Sequence, residues 1–488
     1  MKLNLADKFF ERALQHPDAP LIFGPEPNVA ATYSEFAATV RVLAEKLIHA
    51  GVRQGDNIGL LYPSGRDYIA LVYAAWTCGA CVTPLPIDLT AHEKRQIFQF
   101  IHIDGVIADS RIISHLDGLI HPGGIAVAGH AVYAKGLPSC EAPPQLADVN
   151  AGFIRFTSGT TGSAKGVVLS HESIYERIHA ANQVLNIGPA DRIMWVLSMD
   201  YHFTVSIVAY MTFGAAIVLP RNSFGITLIE TAARHSATII YASPTHYKLM
   251  VQDDSGAALA DSLRLTIVTT SSLKSDIAAA FHQRFGQVLN EAYGIIELGL
   301  PAINASNRAD KQGSVGRILP DYELRLLREP GEPHGEITLR GKGMLDAYYF
   351  PWKSRNTMLQ ETGGWFRTGD LGKLDDDGYL YIVGRVKEMI SVAGMKFFPD
   401  EVESVLESHP AIRAACVFGM QERLWGEACV AHLELRDAGT APSEDELRAH
   451  CKRFLAEHKI PRRFQVVERL KYTASGKKLR NAAQLIEN

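Results

Sequence analysis

Apolar residues recur at helical spacing across residues 33–48, and this pattern predicts a helix near the N-terminus. The apolar positions of this stretch are Phe36, Val40, Leu43 and Leu47. They share one face of a helix because they lie three or four residues apart. Gly51 follows as a stop signal. The sequence therefore predicts a helix that packs one side against a core.

Short apolar runs alternate with helical patterns through the next two hundred or so residues, as in layered α/β domains. The runs that we interpret as strands are 57–62, 81–84, 192–197, 215–219, 238–241 and 265–268. Strands separated by helical segments pair in parallel, which favours an α/β fold with helices covering the sheets. We find no fixed-period repeat and no low-complexity tract.

Beyond Gly313 the pattern changes to short strands and turns at 323–327, 335–339 and 379–383, which predicts a small antiparallel or β-barrel-like subdomain. A polar segment at 384–388 follows, and the remaining residues have the size of a small α+β domain. We therefore predict an α/β protein with a large N-terminal domain, residues 1–386, built of layered α/β subdomains and the barrel-like subdomain. A small, mobile C-terminal α+β domain would occupy residues 387–488.

The composition and charge of the chain indicate which class of partner it binds. Its 488 residues exceed one ordinary core, and 49 basic against 53 acidic side chains give a net charge of −4. This balance does not favour nucleic acid or a membrane surface, so we expect a small-molecule substrate and a monomer or homodimer. The first eight residues alternate charged and apolar positions, unlike a secretory signal, which favours a cytoplasmic protein. The longest uncharged run, 203–220, contains serine, threonine and glycine, and we do not expect it to span a membrane.

Six cysteines are dispersed, and only Cys78 and Cys81 are close together. A redox or zinc site would need a second ligand pair or a nucleophilic context, neither of which is evident. We interpret the pair as buried small residues at the end of a helix.

A glycine-rich string, FTSGTTGSAKG at 156–166, provides backbone N–H groups, hydroxyls and the cation of Lys165, which suit a polyphosphate. A Walker loop would continue into a helix, but here Gly166 and a β-branched run follow the lysine. The string predicts strand, loop and strand. By itself it is also compatible with an ordinary glycine-rich hairpin.

Together with this string, four further motifs occur in a fixed order. They are EAYGIIE at 291–297, GWFRTGD at 364–370, GRVK at 384–387 and TASGK at 473–477. In this order they resemble the adenylate-forming superfamily, which comprises acyl-CoA and aryl-CoA synthetases, adenylation domains of peptide synthetases, and luciferases. GVRQGD at 51–56 and GACVTP at 79–84 are similar to its N-terminal landmarks, so the resemblance covers nearly the whole chain.

The resemblance implies a two-step reaction that uses ATP and Mg²⁺. A carboxylate attacks the α-phosphate and releases pyrophosphate, and the acyl-adenylate then passes to the thiol of CoA or of a phosphopantetheine arm. Lys477, Glu297 and Lys165 would be the catalytic residues, with Lys477 bridging the carboxylate and the α-phosphate. Without the other motifs, Lys477 would look like part of a solvated basic tail with Lys478 and Arg480.

The resemblance also assigns the nucleotide contacts. The implied binding residues are Thr157, Ser158, Gly159, Thr160, Thr161, Gly162, Lys165, Ser271, Ser272, Glu291, Ala292, Tyr293, Gly294, Asp370, Ile382, Arg385 and Lys477. Glu297 would hold Mg²⁺, which prefers one or two carboxylates plus phosphate oxygens. Tyr293 would pack against adenine or be a core tyrosine, and Asp370 would accept both ribose hydroxyls or form a turn. Arg385 would add a donor, and Lys387 would be the hinge between two poses of the C-terminal domain.

The chain departs from the family pattern at three places. Ile296 replaces a threonine whose hydroxyl would bond the α-phosphate. A charge-assisted hydrogen bond is worth about 1.5–3 kcal/mol, so this change predicts a slower rather than a silent enzyme. Ala164 replaces a common proline, and hydroxyl residues at 269–272 replace a segment rich in glycine and alanine.

The substrate pocket is assigned by the same resemblance to His202, Phe203, Ser206, Thr270, Gly294 and Ile295. Relatives that activate amino acids carry an aspartate at the position of Phe203, and Asp200 is the nearest acid here. A buried ammonium without a counter-charge is costly, so we expect a fatty, aryl or other acid without an α-amino group. His202 would gate the pocket or be a packed histidine.

CoA is favoured slightly as the acceptor. Basic residues of the C-terminal region, namely Lys452, Arg453, Lys459, Arg462 and Arg463, would also suit an acidic carrier protein, or simply form a solvated helix face. One alternative is therefore an adenylation enzyme that loads a carrier protein in natural-product biosynthesis. Two others are a catalytically inactive nucleotide-binding sensor, in which Ile296 and Ala164 mark lost catalysis, and a kinase or ATPase.

Overall fold

The computed structural model describes residues 2–26, 28–157, 165–392, 395–422, 426–437, 441–472, 478 and 480. Its contacts divide the chain into two compact units. Unit 1 comprises residues 1–323 and 339–366, and unit 2 comprises residues 324–338 and 367–488. The predicted domain boundary near Lys387 stays a prediction, because this division follows contact density and groups the strands before Lys387 with unit 2.

The described helices, in chain order, are α1 (Leu5–Gln15), α2 (Tyr33–Ala50), α3 (Arg66–Thr77), α4 (Ala91–Phe100), α5 (His171–Leu185), α6 (Met199–His202), α7 (Ile207–Phe213), α8 (Gly225–Arg234), α9 (Pro244–Gln252), α10 (Ser275–Phe285), α11 (Arg355–Glu361), α12 (Pro399–Glu407) and α13 (Glu444–Lys452). Single 3₁₀ turns occupy Ile113–Leu116, Pro144–Asp148, Phe203–Val205, Ala309–Lys311, Val386–Glu388 and Glu457–Lys459.

The described strands are β1 (Pro20–Phe23), β2 (Val29–Thr32), β3 (Asn57–Leu61), β4 (Cys81–Pro84), β5 (Gly105–Asp109), β6 (Ile125–Ala128), β7 (Ala131–Lys135), β8 (Ala151–Thr157), β9 (Lys165–Ser170), β10 (Arg192–Trp195), β11 (Ala216–Val218), β12 (Ile239–Ala242), β13 (Leu265–Val268), β14 (Leu289–Ile295), β15 (Gly299–Ile303), β16 (Arg317–Ile318), β17 (Tyr322–Leu327), β18 (Gly335–Gly341), β19 (Ala347–Tyr348), β20 (Lys353–Ser354), β21 (Phe366–Leu374), β22 (Leu380–Arg385), β23 (Ile390–Val392), β24 (Met395–Phe397), β25 (Ile412–Glu422), β26 (Gly426–Leu435) and β27 (Arg463–Val466).

Helix α2 forms as the apolar pattern predicts. Thr32 and Glu35 make a reciprocal capping box at its N-terminus, and Gly51 ends it with a φ of 114°. The apolar positions predicted to share one face, Phe36, Val40, Leu43 and Leu47, are all buried. Side-chain periodicity and the two end signals therefore fix this element locally.

Two nine-stranded sheets carry unit 1. In the first sheet the order is β16-β15-β14-β13-β12-β10-β11-β1-β2, and β11, β10, β12, β13 and β14 pair in parallel. In the second sheet the order is β20-β19-β9-β8-β4-β3-β5-β7-β6. Helices α8, α9 and α10 pack with the first sheet in one apolar cluster that includes Tyr247 and Phe281. The layered α/β architecture predicted from the alternating pattern is confirmed.

Unit 2 contains most of a four-stranded sheet, β17-β18-β21-β22, and a second sheet in which β24, β23, β26 and β25 are adjacent and β27 pairs with β26. Helices α12 and α13 pack on the second sheet around Val402, Leu406 and Leu447. The α+β character predicted for the C-terminal region is confirmed. The strand-rich pattern beyond Gly313 likewise corresponds to short strands.

The uncharged run at 203–220 divides into a 3₁₀ turn, the seven-residue helix α7 and strand β11. Among the helices that the structure describes, none is long and apolar enough to cross a membrane. Cys78 caps α3 and Cys81 begins β4, and both side chains are buried. Burial raises the pKa of the Cys78 thiol to about 11. The two cysteines are thus small buried residues after a helix, as predicted.

Candidate active site

The carboxyl edge of the parallel strands in the first sheet collects most of the predicted pocket residues. Strands β10, β12, β13 and β14 run in the same direction, so the segments that follow them leave the sheet at one edge. Ligands of open α/β sheets bind at such an edge. The segment after β10 carries His202, the segment after β13 carries Thr270, and the end of β14 carries Tyr293. Residues distant in the sequence are thereby brought to one side of unit 1.

Thr270 has an unusual backbone, with a φ of +81°. A β-branched residue in this region is strained, and such strain persists where the surrounding structure holds it in place. Ser271 and Ser272 follow it and are exposed. The hydroxyl-rich turn predicted to contact the nucleotide therefore has its two serines open to solvent.

Glu291 is buried on β14 opposite Val268, with an exposed fraction of 8%. Its Oε1 accepts a hydrogen bond from Leu273 N at 3.1 Å, whereas Oε2 is buried without a partner among the described residues. Burial raises the pKa of this carboxyl to about 7. At neutral pH the side chain is therefore partly protonated and can donate as well as accept a hydrogen bond.

The remainder of the motif at 292–295 runs along β14 beside β15. Ala292 and Tyr293 are opposite Ile303 and Ala302, and Tyr293 is buried. A Cβ on Gly294 would lie 2.6 Å from the Gly299 carbonyl oxygen, so only glycine allows this close strand pairing. The register shifts between Tyr293 and Ile295, which places a bulge next to the predicted pocket.

Glu297 follows β14 and is held by a residue that sequence reasoning did not identify. Tyr348 in β19 donates from its hydroxyl to Glu297 Oε1 at 3.0 Å. The backbone of the same glutamate accepts from Leu345 N at 2.7 Å. Mg²⁺ is commonly bound by one or two carboxylates together with phosphate oxygens, and a hydrogen bond from a neighbouring residue such as a tyrosine orients the carboxylate. The residues present are therefore compatible with the predicted metal.

Arg177 is a second residue that the sequence analysis missed. It is buried in α5 and donates to the Gly343 carbonyl from Nε at 3.0 Å and from Nη2 at 2.6 Å. Nη1 donates to the Ile296 carbonyl at 3.1 Å, next to Glu297. The available signal was a lone arginine on the apolar face of a helix, between Ile174 and Ala181. Its guanidinium fixes the turn that carries the metal-binding candidate.

His202 ends α6 between aromatic rings. Its centroid lies 6.1 Å from Trp195 and 6.5 Å from Tyr241. Ser206 is buried, and its Oγ donates to the His202 carbonyl at 2.5 Å. Phe203 points into the core, with 1% of its surface exposed. Its described neighbours are aromatic residues of α3 and β8, so its assignment to the acyl pocket stays a prediction.

Asp200 lies in the same turn and is nearly buried. Its oxygens accept from Tyr68 Oη at 3.1 Å and Ser198 Oγ at 3.0 Å. Burial raises its pKa to about 6. Its hydrogen bonds are thus directed at neighbouring side chains of unit 1.

The predicted phosphate loop joins β8 to β9, which pair in antiparallel fashion with Thr157 opposite Lys165. The strand, loop and strand arrangement is confirmed at both strands. Ser158, Gly159, Thr160, Thr161 and Gly162 lie outside the described residues, as do the side chains of Thr157 and Lys165. Their assignments stay predictions.

In unit 2, Asp370 and Arg385 face each other across strands β21 and β22. Arg385 Nε lies 2.9 Å from Asp370 Oδ1, and Asp370 is 4% exposed. Ile382 lies on β22 opposite Gly372. Lys387 is exposed in the following 3₁₀ turn. Partial desolvation of its ammonium group, together with the nearby Arg385, lowers the pKa of Lys387.

Tyr472 and Lys478, the described residues on either side of Lys477, are held in unit 2. Tyr472 and Lys478 form an antiparallel backbone bridge. Lys478 Nζ donates to Glu403 at 2.6 Å and to Glu407 at 3.0 Å. Burial opposes the charge of Lys478, but these two carboxylates more than offset it and raise its pKa. Lys477 itself lies outside the described residues.

Comparison with known proteins places this arrangement in a family. The model of the family described as AMP-binding enzyme matches residues 9–349, and that of the AMP-binding enzyme C-terminal domain matches residues 401–477. The chain belongs to the AMP-binding enzyme family. The family resemblance and fold predicted from the motifs are thereby confirmed.

Similar proteins include two ligases that match over nearly their whole length. The sulfoacetate–CoA ligase of Cupriavidus necator is 30% identical, covering 97% of this chain and 96% of the relative. The 2-succinylbenzoate–CoA ligase of Geobacillus kaustophilus is also 30% identical, covering 92% of this chain and 91% of the relative. Among solved structures, the o-succinylbenzoate CoA synthetase of Bacillus subtilis, in complex with its acyl-adenylate intermediate, has a TM-score of 0.83. It is 26% identical and covers 99% of this chain and 98% of its own. This AMP-binding protein is an AMP-forming acyl-CoA synthetase or acyl-adenylate ligase.

Proposed function

We propose that this AMP-binding enzyme activates a fatty, aryl or other carboxylic acid that lacks an α-amino group, and transfers the acyl group to CoA. The observation that carries the proposal is the match to a CoA ligase along 97% of the chain. Phe203 supports the absence of an α-amino group, because it offers no charge and packs among aromatic rings. An ammonium placed there without a counter-charge would be costly.

The described side chains support a division of roles in the first half-reaction. Glu297, oriented by Tyr348, holds Mg²⁺ against the phosphates of ATP. Asp370, with Arg385 beside it, accepts the ribose hydroxyls. Two further roles rest on the family resemblance and not on described side chains: Lys165 would escort pyrophosphate, and Lys477 would stabilise the charge that collects between the acid and the α-phosphate.

The second half-reaction needs the acyl-adenylate to meet a thiol. We propose that Lys387 is the hinge at which the C-terminal part changes pose between the two steps. CoA is the preferred thiol, and a phosphopantetheine arm on a carrier protein is the alternative.

Exchange of labelled pyrophosphate into ATP tests the first half-reaction. With the purified protein and a panel of fatty, aryl and short acids, we expect exchange that depends on one class of acid and not on α-amino acids. Absence of exchange across the whole panel would refute the ligase. CoA or a phosphopantetheinylated carrier protein is then added to the reaction with the best acid. A thioester that forms only on the carrier protein would show that the carrier protein, and not CoA, is the acceptor.

A further inference from the structure

Arg155, on strand β8, is a partly buried arginine that no carboxylate of the described residues pairs. Its Nη1 donates to the Tyr201 carbonyl at 2.8 Å, and its guanidinium carbon lies 4.8 Å from the centre of the Tyr201 ring. Among the described residues, its Nε is buried without an acceptor, and no carboxylate lies within 4.0 Å of its nitrogens. Burial lowers its pKa, although it keeps its charge. A buried donor without an acceptor is costly, so an anion that accepts from Nε would stabilise this arrangement.

The two carboxylates that interact electrostatically with Arg155 do not fill this role. Asp200 and Glu297 interact with Arg155 electrostatically, but both lie beyond ion-pair distance. Asp200 receives hydrogen bonds from Tyr68 and Ser198. Glu297 receives one from Tyr348. Neither carboxylate of this pair therefore accepts a hydrogen bond from Arg155 Nε, and this donor can bind another acceptor.

A second buried donor without an acceptor lies beside the same turn. Trp195 is 2% exposed, and its Nε1 has no partner among the residues that the structure describes. Its ring contacts His202, whereas Arg155 contacts Tyr201, the preceding residue. The turn that carries the predicted pocket residue His202 is thus flanked by two N–H groups that need acceptors. An apolar acyl chain would leave each of these donors unsatisfied, whereas an oxygen atom that reached either donor would satisfy it.

We propose that Arg155 binds a second oxyanion of the acid substrate, a carboxylate or a sulfonate, in addition to the carboxylate that becomes activated. This inference rests on the proposed function and specifies its substrate class. A phosphate of ATP offers the same oxyanion chemistry, since β8 leads into the predicted phosphate loop. The contact with the Tyr201–His202 turn, on which the acid pocket is predicted, favours the acid as the source.

Steady-state pyrophosphate exchange with matched acids tests the assignment. The pairs are succinate with butanoate and sulfoacetate with propanoate, assayed with the wild-type protein, Arg155→Gln and Arg155→Lys. Arg192→Gln is the matched control, because Arg192 also donates to a backbone carbonyl, at 3.0 Å, and covers an aromatic ring at 5.1 Å. It begins β10, at the opposite end of that strand from Trp195.

We expect the wild-type protein to prefer the dianionic member of at least one pair. Arg155→Gln should raise the KM for that acid by about tenfold to a hundredfold, the range for a lost charge-assisted hydrogen bond, and leave the KM for ATP unchanged. Arg155→Lys should restore part of the loss, and Arg192→Gln should behave as wild type.

Three results would overturn the assignment. If the wild-type protein prefers the monoanionic acid in both pairs, a second oxyanion on the substrate is excluded. This result is independent of whether any variant folds. A raised KM for ATP with equal losses for both members of a pair would assign Arg155 to the nucleotide phosphates. Unchanged kinetics in a folded Arg155→Gln would leave it a structural role only. Absence of exchange with every acid would instead refute the proposed function itself.

Discussion

Lys478 and Glu403 form an enclosed ion pair in unit 2, with Nζ 2.6 Å from Oε2 and side chains 19% and 4% exposed. Glu403 also pairs with Arg480, whose Nη1 reaches Glu388 at 2.5 Å. Lys478 immediately follows Lys477, and Glu388 immediately follows the predicted hinge Lys387. One buried carboxylate therefore pairs with both Lys478 and Arg480, and Arg480 in turn pairs with Glu388.

Replacing Glu403 by glutamine should destabilise unit 2, because it leaves two partly buried cations, Lys478 and Arg480, with less counter-charge. Because Glu407 and Glu388 still pair with these cations, we expect the free energy of unfolding to fall by about 1.5–3 kcal/mol, the range for a hydrogen bond to a charged group, measurable by urea denaturation. Glu329→Gln removes the partner of Lys396 in an exposed pair and should cost less than about 1 kcal/mol. Equal losses in the two variants would show that the Glu403 network contributes no more than a surface pair.

Tyr348→Phe removes the hydroxyl that orients Glu297. The loss of a residue that positions a metal ligand typically weakens metal affinity or activity by about tenfold or more, so the Mg²⁺ concentration for half-maximal exchange should rise. Tyr349→Phe is the matched control, because the adjacent hydroxyl accepts from His102 N at 3.1 Å instead. If both variants show the same Mg²⁺ dependence as the wild type, Tyr348 does not position a metal ligand.

Glu291 should make stability depend on pH. Its pKa is about 7 in the folded protein against 4.5 ordinarily, because it is buried. Between these values the folded state keeps a proton that the unfolded state has lost, so stability falls as the pH rises through this window. The loss reaches about 3 kcal/mol above pH 7.

Denaturation of Glu291→Gln at pH 5 and pH 8 checks this sign. The variant lacks the titrating group, so its stability relative to the wild type should increase between the two pH values. Asp200 titrates in both proteins, so its contribution cancels from the difference between their free energies of unfolding. A difference between the two proteins that is the same at pH 5 and pH 8 would contradict the assignment.

Lys477→Ala should separate the two half-reactions. Without its cation the first step should be nearly abolished, because charge accumulates between the acid and the α-phosphate. Thiol transfer from a supplied acyl-adenylate should remain largely intact. Lys452→Ala, which changes a cation that is 59% exposed, is the control and should affect neither step. Equal loss of both steps in Lys477→Ala would refute this division.

The sequence predicted the elements well where local rules decide them. Strand 265–268 is observed as predicted, and α2 begins at Tyr33 and ends at its glycine stop signal. Periodicity and caps act over a few residues, so one sequence suffices to recognise them. The order of the motifs was likewise sufficient to recognise the family.

The supporting contacts of the site could not be predicted because they join distant parts of the chain. Arg177 bonds Gly343, 166 positions away, and Tyr348 bonds Glu297, 51 positions away. Arg155 and Tyr201 are 46 positions apart, and neither belongs to a motif. Burial of Phe203 and Glu291 likewise depends on which helices and strands pack around them, which local patterns do not specify.

The nucleotide product tests the central claim most directly. ATP labelled at the α-phosphate is incubated with the protein, Mg²⁺, CoA and the acid that supports exchange, and the products are separated by chromatography. We expect labelled AMP that forms only with the acid and in equal amount to the acyl-CoA. Labelled ADP in place of AMP would contradict the central claim.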